Sequence, residues 1–139
     1  MREIKYIAIH CTAGSQKATV NDLMAEFKRK RWKNPGYHYV ITADGKIHQL
    51  LAAEYVSNGV QGYNHCTINV AYTGGVDAEL KPADNRTEAQ KGSLAKLVRL
   101  LHGRYPKAVI QGHRDFPDVA KACPCFDVKA WLKETGITQ

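Results

Sequence analysis

The amino-acid sequence predicts an α/β fold in which a mixed central β-sheet is flanked by helices. Two observations support this class. Apolar runs typical of strands alternate with stretches of helical periodicity, and one pair of strand-like runs is joined by a hairpin turn. The chain has 139 residues, of which 44% are hydrophobic and 24% charged, as in an ordinary globular domain. We therefore expect residues 1–139 to form a single domain.

Strand composition occurs five times along the chain. The segments are residues 4–11, 37–42, 46–50, 67–73 and 108–110. The turn Ala43-Asp44-Gly45 joins the second and third segments into a hairpin, and Gly74-Gly75 ends the fourth. A hairpin between otherwise alternating strands and helices predicts a sheet with both parallel and antiparallel neighbours.

Helical signals occupy three regions between these strands. Apolar residues recur at helical spacing from Val20 to Phe27 and predict a first helix that ends at a basic cluster. A second helix begins at Thr87, where Thr87-Glu88-Ala89-Gln90 is a capping box. A third helix follows Asp127, a good N-cap, and stops at Gly136.

Charge and hydropathy limit the classes of partner. The formal net charge of +7 favours polyanionic partners, but aromatic residues are not interleaved with basic ones, so specific nucleic-acid binding has no support. No apolar stretch approaches the ~20 residues that span a bilayer. Residues 1–5 lack the apolar core of a signal peptide. We therefore expect synthesis in the cytoplasm, without insertion into a membrane.

Three residues at the two ends of the chain have the chemistry of metal ligands. His10 ends the first strand, His113 follows the last short apolar run, and Cys123 lies in Lys-Ala-Cys-Pro-Cys. Two histidines and a cysteine occupy three of zinc's four positions and leave one for water, which is typical of a catalytic site. The sequence thus predicts a zinc hydrolase.

Side-chain direction separates the neighbouring candidates. Successive residues of a strand point to opposite faces, so Cys11 points away from His10 and is expected to be a buried thiol. Lys121 and Cys123 project to the same side if their segment is extended. Cys125 could reach a metal by spacing alone, so the residues themselves leave the choice of cysteine open.

Five short motifs then occur in one order along nearly the whole chain. They are Ile9-His10-Cys11-Thr12-Ala13, Gly36-Tyr37-His38-Tyr39 with Asp44-Gly45, Gly62-Tyr63-Asn64-His65, Gly112-His113-Arg114-Asp115 and Lys121-Ala122-Cys123-Pro124. This set resembles the zinc-dependent N-acetylmuramoyl-L-alanine amidases, in particular the phage T7 lysozyme branch, which is related in fold to peptidoglycan recognition proteins.

The resemblance implies a function and a set of site residues. It implies hydrolysis of the amide between N-acetylmuramic acid and L-alanine in peptidoglycan, by a monomer with a groove for glycan-peptide strands. The implied zinc (Zn2+) ligands are His10, His113 and Cys123, the implied catalytic side chains are Tyr37 and Lys121, and candidate substrate contacts are Asn64 and His65. A lytic phage or prophage setting, with release through a separate pore, would bring the enzyme to the wall, and a recycling role in the cytosol is the alternative.

Two positions depart from the family pattern. Asn69 stands where the family commonly has a small glycine, which predicts different local packing. Cys125 stands where a small residue that binds no metal is usual. The resemblance selects Cys123 as the ligand.

Three rival functions are testable against the same residues. A non-catalytic peptidoglycan-binding module would share the fold, but such relatives tend to lose the thiolate that Cys123 provides. A cysteine hydrolase using Cys11 would need an accessible thiol of low pKa. A zinc nucleoside deaminase would need the H-x-E pattern, and Thr12 occupies the glutamate position.

Overall fold

A computed structural model describes residues 2–117 and 119–137. It contains a five-stranded mixed sheet with three helices, which confirms the predicted fold class. The strands are β1 (Tyr6–Cys11), β2 (Tyr39–Ile41), β3 (Ile47–Gln49), β4 (Thr67–Tyr72) and β5 (Val109–Gly112). The helices are α1 (Val20–Arg29), α2 (Glu88–Arg104) and α3 (Val128–Thr135).

Strand order places β1 next to the centre of the sheet. The order is β3-β2-β4-β1-β5. The four strands β2, β4, β1 and β5 run parallel, and β3 pairs antiparallel with β2 at one edge. The carboxyl ends of the parallel strands therefore meet along one side of the sheet, where α/β proteins commonly bind their ligands.

The predicted helix boundaries are confirmed by their caps. Thr87 and Gln90 form the reciprocal capping box of α2. Asp127 accepts a hydrogen bond from a backbone N–H of the first turn of α3. Gly136, with φ +74°, ends α3 in the left-handed conformation that glycine adopts without strain.

Alternation along β1 divides its side chains between two differently covered faces. Ile7, Ile9 and Cys11 belong to the main core beneath α2 and α3. Ala8 and His10 point to the opposite face. All five side chains are buried, and the face that carries His10 borders a cleft.

Helix α1 covers only part of that second face. Its buried Leu23 and Phe27 pack on Val40 and Ala71 of the sheet, and burying each such large side chain contributes about 1.5–3 kcal/mol. The remainder of the face lies beneath the loop of residues 57–63 and opens into a cleft. Among the described residues, no helix has the length and apolarity needed to cross a membrane.

Candidate active site

Parallel register brings His10 and His113 together. Ile9 on β1 pairs with Gly112 on β5, so the next residue on each strand is a histidine at the carboxyl edge of the sheet. A short 3-10 turn begins at His113 and bends the chain away from the sheet. The two imidazole ring centroids lie 4.7 Å apart. Residues more than 100 positions apart in sequence thus become neighbours through one strand pairing.

Cys123 reaches the same point from the loop that precedes α3. Its backbone carbonyl accepts a hydrogen bond from Arg114 N–H at 2.9 Å, and its Sγ accepts one from Cys11 N–H at 3.1 Å. The ligand atoms offered by His10, His113 and Cys123 all lie within 4.8 Å of one another. Three metal-binding donors from distant segments therefore converge.

Burial keeps both histidines uncharged. Desolvation, followed by repulsion from nearby His113, lowers the pKa of His10 to about 3. Desolvation also lowers the pKa of His113, and the ammonium of Lys121 lowers it further. Both imidazoles are neutral at pH 7, which is the form that binds a metal.

The cysteines at this edge have opposite tendencies to ionise. Hydrogen bonding with Cys11 lowers the pKa of the Cys123 thiol, and the positive charge of Lys121 acts in the same direction. The pKa of the Cys11 thiol is raised, first by its interaction with Cys123 and then by burial. Cys125 turns away, since its Sγ donates to Gly75 O at 3.3 Å. Cys123 is therefore the thiol that faces the histidines, and its ionisation is favoured over that of Cys11 and Cys125.

These residues fit zinc. Two neutral imidazoles and one thiolate form a donor set that zinc commonly takes, with a fourth position left for water or substrate. The Nε2 atom of His10 lies 2.8 Å from Asn69 Oδ1, a hydrogen bond of the kind that orients metal-binding histidines. The cysteine-hydrolase alternative is disfavoured, because the Cys11 thiol is only 4% exposed and its pKa is raised.

A cleft of about 1070 Å³ opens over the three donors. Tyr37 lines it with its ring centroid 5.3 Å from that of His10, while the Phe27 ring supports Tyr37 edge-on. Burial, and next the negative charge of Cys123, raise the pKa of the Tyr37 hydroxyl. Exposed Lys121 also lines the cleft. The structure thus brings together the five residues predicted as metal ligands and catalytic groups.

The other two predicted site residues lie outside the lining of this cleft. The side-chain oxygen of Asn64 accepts hydrogen bonds from the N–H groups of Gly59 and Val60, at 3.0 and 2.7 Å. His65 is exposed, and its backbone carbonyl accepts from Arg2. Asn64 therefore shapes the loop beside the cleft, and substrate contact by either residue stays a prediction.

Sequence reasoning missed several residues of the cleft walls. Trp32 lies at one end, stacked on Phe27 with ring centroids 5.7 Å apart, and Lys30 Nζ lies 4.7 Å from the Trp32 ring centroid. Asn58 and Gln61 line the wall formed by the loop. The sequence around Trp32 did not indicate a role in the cleft, because a basic cluster followed by an aromatic residue is also common at solvent-exposed helix ends.

Known proteins share this architecture. The family model described as N-acetylmuramoyl-L-alanine amidase matches residues 1–126. The endolysin of Escherichia phage T7 is 36% identical over 133 residues, which cover 94% of this chain and 87% of that protein. Two solved structures share the fold. The N-acetylmuramoyl-L-alanine amidase LysC of Clostridium intestinale superposes with a TM-score of 0.83 at 22% sequence identity, and the match covers 99% of this chain and 88% of that one. Drosophila PGRP-LB superposes with a TM-score of 0.75 at 17% identity, and the match covers 96% of this chain and 81% of that one.

The fold places the chain in a structural class that includes N-acetylmuramoyl-L-alanine amidases and peptidoglycan recognition proteins. The length and identity of the sequence matches specify the family within that class. The chain belongs to the N-acetylmuramoyl-L-alanine amidase family. The resemblance stated from the motifs is confirmed, including its T7 branch.

Proposed function

We propose that this amidase hydrolyses the bond between the lactyl group of N-acetylmuramic acid and L-alanine with a zinc ion held by His10, His113 and Cys123. The observation that carries the proposal is the convergence of these three donors, within 4.8 Å of one another, at the floor of a large cleft. Family membership supports the reaction, and the chemistry of the donor set supports the metal.

The surroundings of the three proposed ligand residues favour the protonation states that bind a metal. When bound, zinc would activate water and polarise the scissile carbonyl. His10 and His113 need lose no proton to bind, because burial already keeps them neutral. Cys11 and Lys121 favour the thiolate of Cys123 and lower its pKa. Proton release from the two histidines therefore does not oppose metal binding at neutral pH.

Tyr37 and Lys121 line the cleft that contains this centre, and both carry hydrogen-bond donors. In the reaction, water adds its oxygen to the lactyl carbonyl carbon, the C–N bond breaks, and the L-alanine nitrogen leaves with a proton. The Tyr37 hydroxyl stays protonated because its pKa is raised. We propose that it and the Lys121 ammonium stabilise the carbonyl oxygen as negative charge develops, a contribution of about 3–4 kcal/mol for one such donor.

The cleft has the size and lining for a glycan-peptide strand. The cleft volume of about 1070 Å³ is larger than that of a typical small-molecule pocket. Trp32 and Tyr63 provide apolar ring surface along its walls, and Asn58 and Gln61 provide polar groups. We propose peptidoglycan as the substrate, bound by a monomer.

Several relatives are phage proteins named endolysin. We propose that this chain likewise acts in cell-wall lysis and reaches its substrate through a separate pore. The rival assignment, a recognition module without catalysis, is disfavoured by the thiol at Cys123, which completes the metal donor set.

Mass spectrometry of the products of purified peptidoglycan tests the reaction. An amidase releases stem peptides with a free L-alanine amine and leaves intact lactyl groups on the glycan. New reducing ends without freed L-alanine amines would show a glycosidase and contradict the proposal. Binding to sacculi without any cleavage would favour the recognition module.

A further inference from the structure

A line of buried hydrogen bonds leads from the loop to His10. It passes from Tyr55 through His38, Ser57 and Asn69 to the imidazole. The side chains of His38, Ser57 and Asn69 are fully buried, and His10 is 2% exposed. Asn69 is the last member of this line before the imidazole, and it puts an amide group directly beside a proposed metal ligand.

Donors and acceptors in this line fit one assignment of hydrogens. The backbone N–H of Asn69 donates to His38 Nδ1 at 3.0 Å, so Nδ1 is an acceptor and the ring hydrogen lies on Nε2. That Nε2–H donates to Tyr55 O at 2.8 Å. The Ser57 hydroxyl, 3.1 Å from His38 Nδ1, shares this acceptor with the backbone N–H, and the Asn69 Nδ2 group donates to Ser57 Oγ at 2.7 Å.

This order leaves the amide oxygen of Asn69 facing Nε2 of His10 at 2.8 Å. An amide oxygen only accepts, so the hydrogen of the His10 ring must lie on Nε2. The lone pair of His10 is then on Nδ1, the remaining ring nitrogen. Rotating the Asn69 amide by half a turn would turn the Ser57 hydroxyl from His38 to Asn69 and would put the ring hydrogen of His10 on Nδ1, so the tautomer of His10 distinguishes the two amide orientations.

Packing also holds the Asn69 amide in place. A Cβ atom added to Gly59 would overlap the amide of Asn69. The absence of a side chain at residue 59 therefore makes the space that a larger residue at position 69 needs. The amide lies between this glycine, the Ser57 hydroxyl and the His10 ring, with 0% of its surface exposed.

We infer that Asn69 is a positioning residue that fixes the tautomer and ring orientation of His10, so that Nδ1 is presented to zinc. This inference rests on the proposed zinc site. Partners of metal-binding histidines act in this way in general, and removing one typically lowers metal affinity about 10- to 100-fold. In this chain the partner is an amide supplied by the neighbouring strand β4, in register Ala8↔Asn69 with β1.

Two substitutions distinguish the effect of the Asn69 amide oxygen, as a hydrogen-bond acceptor, from the effect of the side-chain volume. Asn69→Leu keeps a similar volume and removes the oxygen, whereas Asn69→Asp keeps an oxygen that accepts from Nε2. Gln90→Leu is the matched control, because Gln90 is an equally buried amide that donates to Ile41 O and Thr73 O elsewhere in the structure.

Zinc affinity of the metal-free proteins, measured by competition with a chromophoric chelator, is the first readout. We expect Asn69→Leu to bind zinc about 10- to 100-fold more weakly than the wild type, and Asn69→Asp and Gln90→Leu to stay close to it. The second readout is the His10 ring tautomer in metal-free wild-type protein, from long-range proton–nitrogen NMR correlations. We expect the hydrogen on Nε2.

The outcomes distinguish this inference from the zinc proposal. A wild type that binds no zinc would contradict the proposed function, while the tautomer would still report on Asn69. Wild-type affinity in a folded Asn69→Leu protein, or equal losses in Asn69→Leu and Asn69→Asp, would overturn the inference. If Asn69→Leu does not fold, a hydrogen on Nδ1 of wild-type His10 overturns it and one on Nε2 supports it.

Discussion

Cys123 and Cys125 are separated by one residue, yet their thiols face different surroundings. Cys123 Sγ accepts the backbone N–H of Cys11 at 3.1 Å, beside the two histidines. Cys125 Sγ donates to Gly75 O at 3.3 Å and lies 3.9 Å from Cys11 Sγ. The geometry therefore distinguishes two thiols that sequence spacing leaves equivalent.

We predict that Cys123→Ala abolishes stoichiometric zinc binding and reduces amide cleavage to background, because two imidazoles alone leave the site without its thiolate. Cys125→Ala is the matched control and should retain about one zinc per chain. Elemental analysis of the dialysed proteins measures both. Stoichiometric zinc in Cys123→Ala, or its loss in Cys125→Ala alone, would reassign the ligand.

Tyr37→Phe should lower kcat about 10²- to 10³-fold while zinc content is unchanged, because it removes one donor to the developing oxyanion. Lys121→Met should show a loss of the same order for the same reason. Tyr39→Phe is the control, since Tyr39 belongs to the core on the other face of the sheet. Steady-state kinetics with soluble muropeptides measure the effect. Undiminished kcat in Tyr37→Phe would remove Tyr37 from the mechanism.

Acid should destabilise the metal-free protein through His38. Burial lowers the pKa of His38 to about 4, and the guanidinium of Arg2 contributes in the same direction. In the unfolded chain the pKa is about 6.5. Between these values the unfolded state binds a proton that the folded state does not, so the free energy of unfolding falls as pH falls, by up to ~1.4 kcal/mol per pH unit for this residue.

Urea unfolding between pH 7.5 and 4.5 checks this dependence. The range runs from about one unit above the pKa of His38 in the unfolded chain to just above its pKa in the folded protein. His38→Asn keeps an acceptor near the position of Nδ1 and should make the pH dependence shallower by the share of one histidine, while the shares of His10 and His113, whose pKa values are also lowered, remain. Gln90→Leu changes an equally buried polar group that does not titrate and should leave the slope as it is in the wild type. Equal slopes in His38→Asn and the wild type would show that His38 does not contribute.

Gly59 and Asn69 should be energetically coupled. Gly59→Ala places a methyl group against the Asn69 amide and should destabilise the protein by about 1–3 kcal/mol. In an Asn69→Ala background the amide is gone, and much of that cost should disappear, with a coupling energy of about 0.5–3 kcal/mol. Gly92→Ala, where a Cβ meets nothing within 4 Å, should be additive with Asn69→Ala. Additive Gly59→Ala and Asn69→Ala would contradict the packing account.

Local sequence signals predicted the secondary structure well because they are themselves local. The capping box at Thr87 and the N-cap at Asp127 act within one helical turn, and both helices begin where these residues indicate. Strand alternation likewise placed Cys11 on the core face and His10 on the opposite face. Some strands are shorter than their composition suggested, since β2 begins at Tyr39 rather than at residue 37.

The cleft walls and the buried network were beyond sequence reasoning. Contacts such as Asn69–His10 and Asn69–Gly59 depend on strand register and on the path of a loop, neither of which has a local signature. Asn69 was visible in the sequence only as a departure from the family pattern, which gave no indication of its hydrogen bond to His10. Asn64 follows a cleft residue, Tyr63, in the sequence, but its side chain hydrogen-bonds the backbone of the loop instead of lining the cleft.

Zinc dependence of L-alanine amine release from purified peptidoglycan tests the central claim most directly. The protein is stripped with a chelator, dialysed, and assayed before and after addition of one equivalent of zinc. We expect no release from the stripped protein and restored release with zinc in the wild type, but not in Cys123→Ala. Release that persists at the wild-type rate without metal, in protein shown to contain none, would contradict the account.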